Sequence, residues 1–421
     1  MRFPEYPKYK DSGVDWLGAV PAHWDVVALK RIVSLKSGDS ITADHIEETG
    51  QYPVIGGNGL RGYATSFTHD GHFAIIGRQG ALCGNINYGD GKFWASEHAV
   101  VASPLKQLDT VWLGEMLRVM NLNQYSVSAA QPGLSVELVG NLRTVFPPIA
   151  DQRLIADFLN RETAKIDALV AEQRRLIELL KEKRQTVISQ AVTKGLNPYA
   201  AMKPSGVEWI GDTPVHWRAA ALRHFATFNT GSTPDRTVEE YWNGGIPWVK
   251  TGEINYSKIT KTEETISSAG MASCSVSLAP AGTLLMALYG QGATRGRVAL
   301  LGIPATYNQA CAAIRVDGRL DSRFLHALFI SAYPFIREIG NETTQMNLNT
   351  EFVRSIRVVV PPIGEQQEIV EFVERENAKL DALTGEAERA IELLQERRTA
   401  LICAAVTGKI DVRGTVQTVS A

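Results

Sequence analysis

Two stretches of the chain carry apolar residues at alternating spacings of three and four. The first runs through Leu159, Glu162, Ile166, Leu169, Gln173, Leu176, Leu180, Lys183 and Val187; the second through Val373, Glu376, Leu380, Leu383, Ala387, Ala390, Leu394, Arg397 and Leu401. That spacing is a heptad seam, and charged residues such as Arg174, Arg175, Glu178, Lys181 and Glu182 suit the solvated faces beside it. A Pro pair precedes each seam, Pro147-Pro148 and Pro361-Pro362, and favours an extended entry into the helix. Elsewhere the pattern is of short strands broken by Gly-rich turns. Strand-like runs are His72–Ile76, Ala99–Ala102, Thr283–Ala287, Arg297–Leu301 and Ala312–Val316, and short helices are expected near Leu113–Met120 and Ser322–Phe329.

The two seams belong to an internal repeat. Residues 147–193 align on 361–407 without gaps, with 25 of 47 positions identical. A second repeat pairs SGVDWLGAVPAHW (Ser12–Trp24) with SGVEWIGDTPVHW (Ser205–Trp217), with 8 of 13 positions identical. The segments between, about 25–145 and 218–359, match weakly: Ser37-Gly38 answers Thr230-Gly231, and Gly80-Ala81-x-x-Gly84 answers Gly292-Ala293-x-x-Gly296. The chain therefore reads as two copies of one unit, with a matched scaffold and diverged inserts.

The expected fold class is α+β. Two mixed, β-rich domains are joined by two long helices packed as an antiparallel coiled coil, the whole forming a pseudo-twofold internal repeat. Its expected segments are 1–146 and 197–359 for the insert-bearing domains, the latter including a linker, with helices over 147–196 and 360–421, the last including a C-terminal tail.

Charge adds little. Lys and Arg total 43 against 45 Asp and Glu in 421 residues, a net charge of −2, so nothing in the overall balance draws the chain to nucleic acid. The first insert has 9 basic and 11 acidic residues and the second 14 and 11. No apolar run reaches the length of a membrane span and no apolar leader opens the chain, which together with four scattered cysteines favours a cytoplasmic setting.

Catalytic patterns are not evident. Asn197-Pro198-Tyr199 lacks the second proline of a DNA-amino methyltransferase motif, and Pro234-Asp235 lacks the acid-x-Lys partner of a nuclease. No phosphate-binding Gly-Lys-Ser/Thr loop is present, and the eight histidines do not fall at metal-ligand spacing. His23 and His216, just before the matched tryptophans, read as hydrogen-bonding residues. Side chains suited to base edges do sit beside glycines. These DNA-binding candidates are Asn58, Arg61, Arg78 and Gln79 in the first insert, and Lys250, Thr251, Gln291, Arg295, Arg297 and Asn308 in the second.

The doubled W-L/I-G-x-x-P-x-H-W entry and the doubled P-P-I-x-x-Q-x-x-I-x-x-F helix start resemble the specificity subunit of type I restriction-modification enzymes along essentially the full chain. The resemblance implies that each insert is a target recognition domain reading one half of a bipartite site in double-stranded DNA. It implies that the helices set the spacer and dock two methylation (M) subunits, and that two restriction (R) subunits join for cleavage. The implied cofactors are S-adenosylmethionine, ATP and Mg²⁺, all carried by those partners and none by this non-catalytic chain. Two other readings make different demands. A self-contained DNA-modifying enzyme would turn over alone, and an interaction scaffold would bind protein through its inserts.

Overall fold

The computed structural model describes residues 3–80, 82–126, 133–289, 294–342 and 348–414. The chain divides into two compact units, Met1–Arg174 with Glu388–Ala421, and Arg175–Ala387. Each long helix, Ile149–Lys194 and Ile363–Val406, contributes to both.

In the first unit, Val33–Ser37, Ala99–Pro104, Phe73–Gly77 and Ile86–Gly89 form an antiparallel sheet in that order. A second sheet orders Gly59–Ala64, Tyr52–Gly56, Lys92–Ala95 and His69–Asp70, its middle pair parallel. The second unit repeats the plan. Ala226–Thr230, Cys311–Val316, Leu284–Ala287, Val298–Leu301 and Lys258–Ile259 form one sheet. Glu264–Ile266, Trp242–Val249 and Thr306–Tyr307 form the other, with Trp242–Val249 parallel to Thr306–Tyr307. A two-stranded ribbon closes each insert at its base, Asp25–Ala28 with Arg143–Phe146 and Arg218–Ala221 with Arg357–Val360. The strands foreseen from apolar runs are present, and the short helices become Thr110–Val119 and Ser322–Glu342.

The repeated motifs explain how insert and helix are joined. Trp24 and Trp217 are buried in their units, and each indole N–H donates to a carboxylate in the first turn of the following helix: Trp24 to Asp151 at 3.0 Å, Trp217 to Glu365 at 3.1 Å. His23 and His216 bond the same carboxylate oxygens, both at 2.8 Å. The repeated Gln of P-P-I-x-x-Q is fully buried in both copies. Gln152 Nε2 donates to Pro147 O (2.8 Å), and its Oε1 accepts from Asp109 N (2.9 Å), at the N-cap of Thr110–Val119. Gln366 does the same with Pro361 O (2.8 Å) and Asp321 N (2.7 Å), and adds Arg319 O (3.0 Å). A buried polar residue is retained here because backbone groups that could not otherwise be satisfied surround it.

Within each unit the two helix segments run antiparallel. In the first, Arg398 Nε donates to Asp167 (3.0 Å), while Gly408, just past the end of the second helix, lies against Pro21 and Trp24, and Trp24 bonds Asp151 near the start of the first. In the second, Arg184 pairs with Asp381, and Gly195 lies against Trp217 and Glu365. The two ion pairs occupy equivalent positions in the repeat, 214 residues apart. The seam differs from the sequence expectation in one respect. Several positions move one residue along: Val170, Ile177 and Arg184 are more buried than Leu169, Leu176 and Lys183, and Thr384 and Arg398 more than Leu383 and Arg397, while Glu162 and Thr163, Glu376 and Asn377, and Ala390 and Ile391 are half-buried alike. Leu169 and Leu383 are 51% and 46% exposed. Apolar neighbours such as Leu169-Val170 and Leu176-Ile177 make both choices compatible with the spacing rule, and the direction in which the side chains lean decides between them.

Candidate nucleic-acid interface

The two inserts share a construction that the weak sequence echoes only hinted at. Gly38 and Gly231 each run so close to a neighbouring strand end that a side chain is excluded. A methyl on Gly38 would sit 2.1 Å from Ala95 O, and one on Gly231 would sit 2.0 Å from Tyr307 O. Backbone hydrogen bonds extend the equivalence. Arg78 N donates to His98 O and Leu288 N to Ala310 O, both at 2.8 Å. Gly77 N donates to Asn85 O (2.8 Å) and Ala287 N to Arg297 O (2.9 Å). Equivalent positions therefore carry different chemistry, with Arg78 opposite Leu288, Asn85 opposite Arg297, and His98 opposite Ala310.

In the first unit the four sequence candidates gather around one loop end. Asn58 is exposed in the turn after Tyr52–Gly56, and its Oδ1 accepts from Asn85 Nδ2 at 2.9 Å. Arg78 ends Phe73–Gly77 and donates to Ser37 Oγ at 3.0 Å. Exposed Gln79 follows and bridges through its backbone to Gly133. Arg61 lays its side chain along Gly56. The structure adds Ser37, Asn85, Asn87 (Nδ2 to Gly57 O, 3.4 Å) and His98, which pairs with Glu97 at 3.2 Å. The Asn85-x-Asn87 alternation at the start of a strand was a usable signal for two of these; Ser37 and His98 arrive through tertiary pairing.

The second unit sorts its candidates. Lys250, Thr251 and Asn308 lie together, since Asn308 N donates to Val249 O at 3.0 Å and Lys250-Thr251 follow directly. Lys250 Nζ is held by Glu263 (2.7 Å) and Glu264 (3.1 Å), which raise its pKa. Arg236 stacks 4.1 Å from the Trp242 ring centre and pairs with Glu264 at 2.7 Å. Partial burial opposes the Glu264 charge, but the bonds from Lys250 and Arg236 outweigh it and hold the carboxyl below the usual range. Two cations are thus balanced by two carboxylates within this cluster. Asn308 spends its oxygen on Ala310 N (3.1 Å) and Cys311 Sγ (3.0 Å). Arg295 and Arg297 are not brought to this cluster. Arg295 is buried and donates to Arg337 O (3.0 Å), and Arg297 lies 5.6 Å over the Tyr256 ring. Gln291 falls outside the described residues. Sequence reasoning passed over Arg236 because its aromatic partners lie 6 and 12 positions away; Trp242 and Trp248, on one face of one strand, were the available hint.

Among the described residues, no three His, Cys, Asp or Glu side chains are grouped to hold a metal ion, and no helix is long and apolar enough to cross a membrane.

The chain is thus a duplicated unit that displays diverged loop ends on one scaffold. The type I restriction modification DNA specificity domain matches the chain twice, over residues 21–179 and 214–393, and the chain belongs to this family. It is 44% identical over 170 residues to the EcoprrI specificity subunit of Escherichia coli, covering 38% of this chain and 41% of that one. The MjaVIII specificity subunit of Methanocaldococcus jannaschii is 22% identical over 415 residues, 94% of each chain. The matches to the EcoprrI subunit and to the MjaIX subunit of M. jannaschii span only 41% and 38% of those relatives. Among solved structures, a chain from a type I R-M system superposes with a TM-score of 0.66 at 16% identity, covering 92% of this chain and 98% of that one. The HsdS subunit from Thermoanaerobacter tengcongensis gives 0.54 at 14% identity, covering 93% and 98%. These likenesses show the fold.

Proposed function

We propose that this chain is the DNA sequence-specificity subunit of a type I restriction-modification complex, working in the cytoplasm. Each unit reads one half of a bipartite site in double-stranded DNA, and the helices set the spacer. The observation that carries this reading is the double match to a DNA specificity domain on two units of one construction whose loop ends differ. Phosphate contacts would fix register and base contacts would specify. Asn58, Arg61, Arg78 and Gln79 are the contact candidates of the first unit; Lys250, Thr251 and Asn308, with Gln291, are those of the second. Arg295 and Arg297 could join only by leaving their present partners.

The chain is non-catalytic in this reading. Two methylation subunits dock on it and two restriction subunits join them, and S-adenosylmethionine, ATP and Mg²⁺ serve those partners. The test is a map of methylated adenines in cells carrying this chain with its methylation subunit, against cells lacking the chain. Loss of a single split motif is expected. An unchanged methylome, with the methylation subunit expressed and bound to the chain, would refute the proposal in favour of an interaction scaffold. DNA modification or cleavage by the pure chain would refute its non-catalytic part.

A further inference from the structure

The second unit holds a cavity of about 830 Å³ where its insert meets the helices. Ile188 of the first long helix, Val370 and Val373 of the second, and Ile330 of Ser322–Glu342 give it an apolar wall, to which Tyr256 adds an aromatic residue. Tyr256 is held at φ 69°, in the left-handed region that a non-glycine residue adopts only at a cost. Its ring stands edge-on to Tyr333, 5.5 Å between centres. The volume lies within the range of small-molecule sites, roughly 300–1,000 Å³. Lys258 and Arg323 in the wall are matched by Asp321 and Glu374, so the charges cancel. Arg323 reaches Asp321 at 3.2 Å and Glu374 at 3.7 Å.

The first unit shows what occupies the equivalent place. Tyr88 pairs with Ala74 as Leu300 pairs with Leu284. Gly114 follows Asp109 at the same distance as His326 follows Asp321, and both aspartate N–H groups donate to the buried glutamines. His72, two residues before Ala74, answers Gly282, two before Leu284. In the first unit these positions carry two stacked rings. His72 lies parallel to Tyr88, 5.7 Å between centres and 3° between planes. Gly114 leaves room for the phenol, since a methyl there would lie 2.2 Å from Tyr88 Oη. In the second unit Gly282, Leu300 and His326 all line the cavity. The helix now supplies a ring, His326 in place of Gly114, and the strand gives one up, Leu300 in place of Tyr88. The ring of His72 has no counterpart, because Gly282 has no side chain and nothing lies within 4 Å of where one would begin. His326 is half-buried, and the loss of solvent holds its pKa at about 4, so it is uncharged at neutral pH.

We propose that this cavity is a binding site for a small, uncharged, planar aromatic molecule, which stacks on His326 as His72 stacks on Tyr88. Burial of the ring against the apolar wall drives binding, and stacking adds to it. The first unit has no such vacancy, because its own rings fill the place. The inference is independent of the DNA reading, since none of the candidate base contacts lines the cavity.

The test is calorimetric titration of the full chain with indole, an uncharged planar probe. Saturable binding is expected with a Kd of about 0.1–1 mM, ordinary for a ligand of this size. His326→Ala should weaken it about threefold to tenfold, the worth of an aromatic pair. Ile330→Trp, which fills the cavity from the helix, should abolish it, and thermal melting reports that each variant stays folded. No saturable binding to the wild-type chain, or full-strength binding to both folded variants, would overturn the proposal. Loss of indole binding once the methylation subunits assemble on the chain would overturn it too, and would give the cavity to an aromatic side chain of the partner.

Discussion

The buried glutamines offer a test with an internal control. Gln366→Leu keeps roughly the side-chain volume and removes three hydrogen bonds: to Asp321 N, Pro361 O and Arg319 O, at 2.7, 2.8 and 3.0 Å. Each loss strands a backbone group beside a side chain of zero exposure. A stranded buried group costs about 1–3 kcal/mol, so the total is at least about 3 kcal/mol. Gln152→Leu strands only Asp109 N and Pro147 O and should cost at least about 2 kcal/mol by the same count. Urea unfolding followed by hydrogen exchange separates the units, since a protein of two units need not unfold in one step. Protection should fall mainly at the start of Ile363–Val406 in the first variant and of Ile149–Lys194 in the second, with Gln366→Leu the more severe. If either variant loses less than about 0.5 kcal/mol, within the range of an ordinary surface change, the argument that these residues satisfy otherwise orphaned backbone is wrong.

Gly38→Ala and Gly231→Ala should each lower the melting temperature of their own unit and cost over about 2 kcal/mol, because the new methyl meets a strand carbonyl that cannot yield; near-neutral calorimetry would refute this. His326 is half-buried, and the loss of solvent around its ring pushes its pKa down to about 4. Its folded value thus lies below the unfolded one near 6.5. Its contribution is fully present above pH 6.5 and is lost as pH falls toward 4, by up to roughly 3 kcal/mol. His326→Leu should flatten stability between those pH values, and an unchanged pH profile would refute the assignment. Asp167→Ala and Asp381→Ala remove exposed helix ion pairs and should each cost under about 1 kcal/mol in urea titration. Shortening both helices by one heptad should change the spacer of the methylated motif, or abolish assembly, and leave each half-site as it was; altered half-sites with an unchanged spacer would refute the role of the helices as a ruler.

The repeat determined the architecture before any coordinates. Copying at fixed offsets marks positions that share a structural job, so Trp24 and Trp217, Gln152 and Gln366, and both helices stood out. Local spacing was enough to define the helices, because heptad periodicity is a short-range property. It was not enough to choose between adjacent apolar residues, so Val170 rather than Leu169 entered the seam only once the side-chain direction against a partner was known. The loop ends were least legible. Asn58, Arg78 and Gln79 were found because glycine beside a polar side chain is a local sign. That Asn85 joins Asn58, that Glu263 and Glu264 occupy Lys250, and that Arg295 turns inward to Arg337 depends on strands far apart in the chain. Hydrogen bonds and ion pairs act over about 3 Å in space whatever the separation in sequence. Hence the sequence by itself determined a doubled α+β scaffold of the specificity family, and only the tertiary structure decided which polar side chains stand ready at each loop end.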